Sequence, residues 1–277
     1  FADKIRDISK GIYIGGWDCP TKRTNEKPEG NYCRLPHRAS EENLKKLESV
    51  KQFIAINLRG ITADQKCSDF ESYLEAAELW SLLSLRNKNI VILTHDDFVA
   101  WWIKCTKRNV EIFSKTKAAI NKHNKKLLYG ITFYETDFDK LTDNALFAMG
   151  EQIDVLHFYL HRRSNVKNYG RYVSSIKKYF PNAKIIFGVY NYDRRNYEKR
   201  YDNDDMEKTL FVDQLNYCYK KLRTDNSVLG IEFYPGSLGE PQRLLMRDKL
   251  IGDENAKKIT TEINAALENW LLDLRNK

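Results

Sequence analysis

Two glutamates stand near the ends of apolar runs in this chain. Glu135 closes the run Leu127–Glu135 (LLYGITFYE), and Glu232 lies within Val228–Gly236 (VLGIEFYPG). Carboxylates delivered by separate parallel strands supply one acid and one nucleophile or base, the pair that cleavage of a glycosidic bond requires. Ile231 and Phe233 occupy the strand face opposite Glu232, so its carboxylate must point into an interior and find a partner there. A salt bridge to Arg59 is the purely structural alternative. Glu135 alternates with Tyr134. If Tyr134 faces a cavity, Glu135 turns inward only through a bulge or at the strand-to-loop transition, and Asp137 is the substitute acid.

The other apolar runs also end in residues suited to hydroxyl-rich ligands: Trp17 and Asp18; Asn57 and Arg59; His95, Asp96 and Asp97; His157, Tyr159 and His161; Tyr190, Asn191, Tyr192 and Asp193; and Tyr234. Aromatic faces stack on the C–H groups of a sugar ring, while carboxylates and amides bind its hydroxyls. His157 and His161 invite a metal reading, but on a strand residues four apart are separated by roughly 13 Å, too far for one ion. His157 reads as a packed histidine and His161 as a rim contact. An aspartate after His95 either caps the next helix or meets a ligand. No metal or other cofactor is expected.

The elements that must position these groups follow from periodicity. Seven strands are predicted: Gly11–Trp17, Phe53–Arg59, Asn89–His95, Leu127–Tyr134, Val155–His161, Ile185–Asn191 and Val228–Tyr234. Amphipathic stretches lie between them, among them Ser40–Val50, Phe70–Leu85, Trp101–His123 and Met206–Leu222, and Arg243–Lys277 reads as two further helices. Alternating strands and helices without a Gly-rich phosphate loop point to an α/β fold of the TIM type, a (β/α) barrel forming one domain over residues 1–277. With seven recognisable strands, either one is hidden in Cys19–Pro36 or after Glu240, or the barrel is incomplete. In such a barrel the strand C-termini and their loops form the site.

Composition narrows the partners. The 277 residues are 42% hydrophobic and 12% aromatic, enough for a full core, and no apolar stretch is long enough to span a membrane. The net charge of +8 is scattered and lacks any nucleic-acid-binding pattern, so the expected partner is a carbohydrate, with some preference for an acidic one, and not nucleic acid. The densest basic stretch, Lys122–Lys126, complements a helix C-terminus. Of five cysteines, Cys19 and Cys33 bracket a polar loop that a disulfide would close, whereas Cys105 and Cys218 read as small buried hydrophobes. Numbering that starts at Phe1 implies a processed or trimmed terminus. Loss of a signal peptide there would favour a secreted or periplasmic location. Nothing in the sequence sets the oligomeric state.

A glutamate closing the fourth strand (TFYE) and another on the seventh (IEFYPG) resemble the clan of retaining (β/α)8-barrel glycoside hydrolases. That resemblance implies Glu135 as acid/base and Glu232 as nucleophile. The clan's usual Asn-Glu pair is replaced by Tyr134-Glu135, and its eighth strand has no counterpart here. The strand-end pattern (ITFYETD, LHFYLHR, GVYNYDR, IEFYPG) also looks like that of uncharacterised bacterial barrel proteins. Two alternatives stand beside hydrolysis of an oligo- or polysaccharide. One is a barrel that binds carbohydrate without cleaving it. The other is a metal-dependent deacetylase or phosphodiesterase using His95, Asp96, Asp97 and His161.

Overall fold

The computed structural model describes residues 11–14, 53–58, 70–190, 208–234 and 254–275. Seven strands form one sheet in sequential order: β1 (Gly11–Ile14), β2 (Phe53–Asn57), β3 (Ile90–His95), β4 (Leu128–Tyr134), β5 (Val155–Tyr159), β6 (Lys184–Tyr190) and β7 (Val228–Tyr234). Every neighbouring pair is parallel. The helices are α1 (Phe70–Leu83), α2 (Phe98–Cys105), α3 (Glu111–Ile120), α4 (Asp143–Gly150), α5 (Tyr169–Tyr179), α6 (Lys208–Thr224) and α7 (Glu254–Arg275). Parallel neighbours in strict sequence order, with helical crossovers joining β2 through β7, make this an incomplete TIM-type α/β barrel. Among the described residues no strand joins β7 back to β1.

Strands β2 to β6 are buried on both faces over most of their length, which explains why their sequences read as apolar runs rather than alternating ones. The outward set, including Leu93, Ile131, Phe133, Leu156, Phe158, Phe187 and Val189, belongs to the main core with the helices. The inward set begins at the N-terminal end with Ala55, Ile92 and Val155, packed with Leu128 and Ile186. These side chains fill the lower interior between β2 and β6.

The stretch Trp101–His123 does not form one helix. Lys107 and Arg108 both take positive φ, 52° and 62°, which ends α2 before α3 begins. Trp102 Nε1 donates to Asn109 O at 2.9 Å and Asn109 Oδ1 accepts from Glu111 N at 3.0 Å, so side chains pin the corner that amphipathic periodicity passes over. Helix α4 meets the end of α5 so closely that a Cβ at Gly150 would lie 1.7 Å from Tyr179 O. Cys105 is disulfide-bonded rather than a packed thiol, while Cys218 is free and buried, its pKa pushed up by burial to about 12. The proposed Cys19–Cys33 bridge lies outside the described residues, as do Ser40–Val50 and the first part of Arg243–Lys277, whose described remainder is the single helix α7. No helix among the described residues is long and apolar enough to cross a membrane.

Candidate functional site

Strand register stacks the inward side chains in layers. Thr132 on β4 pairs with His157 on β5, and His157 with Ile186 on β6. One layer higher, Tyr134 pairs with Tyr159, Tyr159 with Gly188, and Gly188 with Glu232. Tyr190 and Tyr234 pair above them.

Glu232 enters this interior as its strand pattern requires. His157 Nδ1 lies 2.9 Å from Oε2 and 3.1 Å from Oε1 of Glu232. Nδ1 is thus the ring nitrogen that meets both carboxyl oxygens. The His157 side chain is 1% exposed and that of Glu232 is 18% exposed, which leaves the carboxylate as the solvent-facing end of the pair. The expected histidine packing and carboxylate partner therefore meet in one contact; the alternative partner Arg59 lies outside the described residues.

Tyr134 and Tyr159, level with Glu232, and Tyr190 above them form their own buried cluster, and Tyr234 meets Tyr190 edge-on at 6.0 Å. Gly188 is what admits Tyr159: a Cβ there would sit 2.3 Å from ring atoms of Tyr159. Tyr134 OH donates to Asp97 Oδ1 at 2.9 Å, and burial holds its phenol well above the ordinary range. Asp97 occupies the position preceding α2 yet makes no side-chain cap bond. Its φ of 51° places it in the left-handed region, an uncommon conformation for a non-glycine residue. Asp97 N donates to Asp96 Oδ1 at 3.0 Å, and Asp96 N donates to Asn57 Oδ1 at 3.3 Å, so β2 and β3 jointly fix this rim.

Glu135 is placed differently from the expectation. Strand alternation carries it to the side of Phe133, toward the helices. There Oε2 accepts from His161 N at 2.8 Å, and Oε1 accepts from Arg162 N at 3.0 Å and Asn165 Nδ2 at 3.2 Å. Burial raises its pKa, with those donors acting in the opposite direction. No bulge turns it inward, because the loop after β5 supplies three donors on the outer side. Asp137 is likewise engaged locally: Oδ2 accepts from Tyr134 N at 2.9 Å and Oδ1 from Lys140 Nζ at 2.7 Å, tying down the 3-10 turn Glu135–Lys140. Its pKa too is raised by burial, against the pull of Lys140.

His95 does not reach the mouth. It faces outward and packs among Tyr73, Trp101 and Phe98, with ring centroids 5.0, 4.7 and 5.1 Å away. His161 lies beyond the end of β5, not on its inward face, and its ring stacks on Tyr134 at 3.9 Å with its Nδ1 3.1 Å from Thr136 Oγ1. The set His95, Asp96, Asp97 and His161 is therefore not assembled, and among the described residues no group of three His, Cys, Asp or Glu is arranged to hold a metal ion. Trp17, Asp18, Arg59, Asn191, Tyr192 and Asp193 lie outside the described residues.

Two residues of the site escape a sequence reading. Buried Arg163 donates from Nη2 to Tyr190 O at 2.7 Å and lies 5.0 Å from the centroid of the Phe211 ring, bracing the end of β6. Thr136 holds the His161 ring. An arginine beginning a short helix carries no pattern that marks it as buried.

No protein-family model and no curated protein matches this sequence. Among solved structures the chain is similar to a β-glucuronidase of Bacteroides uniformis, at 9% identity over 84% of this chain and 27% of that one, TM-score 0.48. It is also similar to a GH53 catalytic domain of Ignisphaera aggregans, at 13% identity over 69% and 65%, TM-score 0.46. An α-L-arabinofuranosidase of Thermotoga maritima, solved with arabinose, matches at 10% identity over 84% and 57%, TM-score 0.48. The matched region thus spans less than two thirds of each of these chains.

Proposed function

We propose that this chain is a carbohydrate-directed barrel that hydrolyses glycosidic bonds of an oligo- or polysaccharide, with Glu232 as its nucleophile or base. The observation that carries this reading is the Glu232 carboxylate, held by buried His157 and partly exposed beside a cluster of tyrosines. His157 fixes the direction of the carboxylate, and the tyrosine rings provide faces for the C–H groups of a pyranose. Asp97 is the second carboxylate in this reading, because it reaches the mouth through Tyr134 while Glu135 is engaged elsewhere. As acid it would protonate the leaving oxygen. Glu232 would either attack the anomeric carbon, to be released later by water, or activate water directly. The single-domain organisation over residues 1–277 belongs to the same proposal, as does a secreted or periplasmic location, which the disulfide at Cys105 supports.

A second reading, binding without cleavage, is favoured by one observation: at the strand-4 position where the resemblance requires an acid, the carboxylate is bonded away from the mouth. One pair of proteins separates the two. Wild type and Glu232→Gln are screened for hydrolysis of aryl glycosides and polysaccharides and titrated with the same sugars. Hydrolysis by wild type alone, with sugar binding retained in the variant, is expected. Binding by both without hydrolysis by either overturns the catalytic reading, and no sugar binding by either overturns both.

A further inference from the structure

His161 sits where a ligand contact is expected at the rim, yet its side chain is only 8% exposed. Its ring lies flat on Tyr134, 3.9 Å between centroids and 19° between planes, with Nδ1 3.1 Å from Thr136 Oγ1. We propose that His161 is a positioning residue for the reaction. Its stack fixes the Tyr134 ring, and through the Tyr134 hydroxyl it sets the Asp97 carboxyl where the acid is needed. The inference rests on the reading of Asp97 as that acid and extends it to the side chain standing behind Tyr134.

Asp97 needs such a holder. It precedes α2 with φ at 51° and makes no side-chain cap bond, so the helix it introduces does not fix its carboxyl. Tyr134 OH reaches it from β4, donating to Oδ1 at 2.9 Å. That bond is only as well placed as the Tyr134 ring. Tyr159 meets this ring at 6.2 Å and a 45° tilt, whereas the His161 stack is the close contact. The hydroxyl lies at the far end of the ring, so any pivot moves it most. A shift of ~1 Å at a reacting group costs about 10²-fold in rate.

Two neighbouring strands build the stack. β4 ends at Tyr134 and the turn after it supplies Thr136, while β5 ends at Tyr159 and the loop after it supplies His161. The backbone of that loop has a separate anchor, His161 N donating to Glu135 Oε2 at 2.8 Å. His161→Ala therefore removes the ring and keeps the loop tied down. His161→Phe restores a ring to the stack without the polar contact to Thr136.

The test compares kcat/KM for phenyl and dinitrophenyl glycosides of the sugar that wild type cleaves best in the aryl-glycoside panel. An acid matters more as the oxygen it protonates becomes more basic, so losing its help falls harder on the phenyl substrate. A variant that merely loosens the fold slows both substrates alike. His161→Ala is expected to lose about tenfold or more with the phenyl glycoside and much less with the dinitrophenyl one, the pattern also expected of Asp97→Asn. His161→Phe should recover most of that loss. Added to Tyr134→Phe, His161→Ala should cost less than about threefold further, because the hydroxyl through which it acts is already gone. Melting temperatures identify any variant that has lost its fold; should His161→Phe be one, the leaving-group comparison and the pairing with Tyr134→Phe decide. No loss in His161→Ala, equal losses with the two leaving groups, no recovery in a folded His161→Phe, or full additivity with Tyr134→Phe would each overturn the positioning role and leave Asp97 as the acid. If Asp97→Asn shows no leaving-group dependence, or wild type hydrolyses no aryl glycoside, the acid reading fails and takes this proposal with it.

Discussion

His157 and Glu232 meet at 2.9 Å across the interior of the barrel, reaching from β5 to β7 over the intervening strand β6. The contact joins a side chain sealed from solvent to one that remains partly open, so it orients the carboxylate without covering it. Removing the carboxylate and removing its holder should therefore have different consequences. Glu232→Gln is expected to lower aryl-glycoside kcat on the order of 10³-fold or more. His157→Phe keeps an aromatic ring, somewhat larger than imidazole, and drops the polar contact. It should lower kcat by about 10²-fold through misplacement of Glu232, with KM changed less. Equal, near-wild-type kcat in both variants would remove Glu232 from the chemistry.

Tyr159 owes its place to a missing side chain on the neighbouring strand. With only 2.3 Å between a Cβ at Gly188 and the Tyr159 ring, Gly188→Ala must displace that ring from the tyrosine cluster. Overpacking of this kind costs about 1–3 kcal/mol. Denaturant unfolding of Gly188→Ala, Tyr159→Ala and the double variant provides the check. The alanine at 188 should cost clearly less once Tyr159 has been cut back, and simple additivity would contradict the contact.

Glu135 and Asp97 are predicted to separate stability from activity. Glu135→Ala leaves the N–H groups of His161 and Arg162 and the amide of Asn165 without their acceptor, a loss of about 1–3 kcal/mol in stability. Its aryl-glycoside kcat, measured well below the melting transition, should stay within a few-fold of wild type. Asp97→Asn keeps the rim shape and removes the charge, and kcat should fall by about 10²–10⁴-fold if Asp97 is the acid. The opposite pattern would return the acid role to Glu135.

The strand plan was legible because strands such as β3 to β6, buried on both faces, leave long apolar runs, and every one of the seven expected runs holds a strand. Side-chain direction at the strand ends was less so. Glu232 lies inside β7, where alternation sets its direction; Glu135 and His161 lie just beyond strand ends, where the next turn decides. Glu135 went outward because backbone donors from the loop after β5 wait there, and such donors leave no mark in a sequence. His95 was assigned to the mouth for its position at the end of β3, yet alternation from Thr94 already turns it toward the helices. The corner at Lys107 and Arg108 was missed for a related reason, since left-handed residues that are not glycine look like any other helical residue.

Asp225, in the turn before β7, offers a pH-dependent check on the fold that does not involve the mouth. Its carboxylate accepts from Lys177 Nζ at 2.8 Å and from Ser227 Oγ and N at 2.6 and 3.1 Å. These partners, Lys177 first, pull its pKa from 3.8 to about 2. A depressed carboxylate contributes stability above its unfolded value and loses it as pH falls through the folded one, so the window runs from about 4 down to about 2. Lys177 is half exposed, so solvent screening keeps the effect small. Asp225→Asn should melt below wild type at pH 6, by less than about 4 °C. The gap should narrow across that window, because the wild-type carboxyl is by then protonated as well. A gap that stayed constant from pH 6 to pH 2 would show that Asp225 acts through shape and neutral hydrogen bonds and not through its charge.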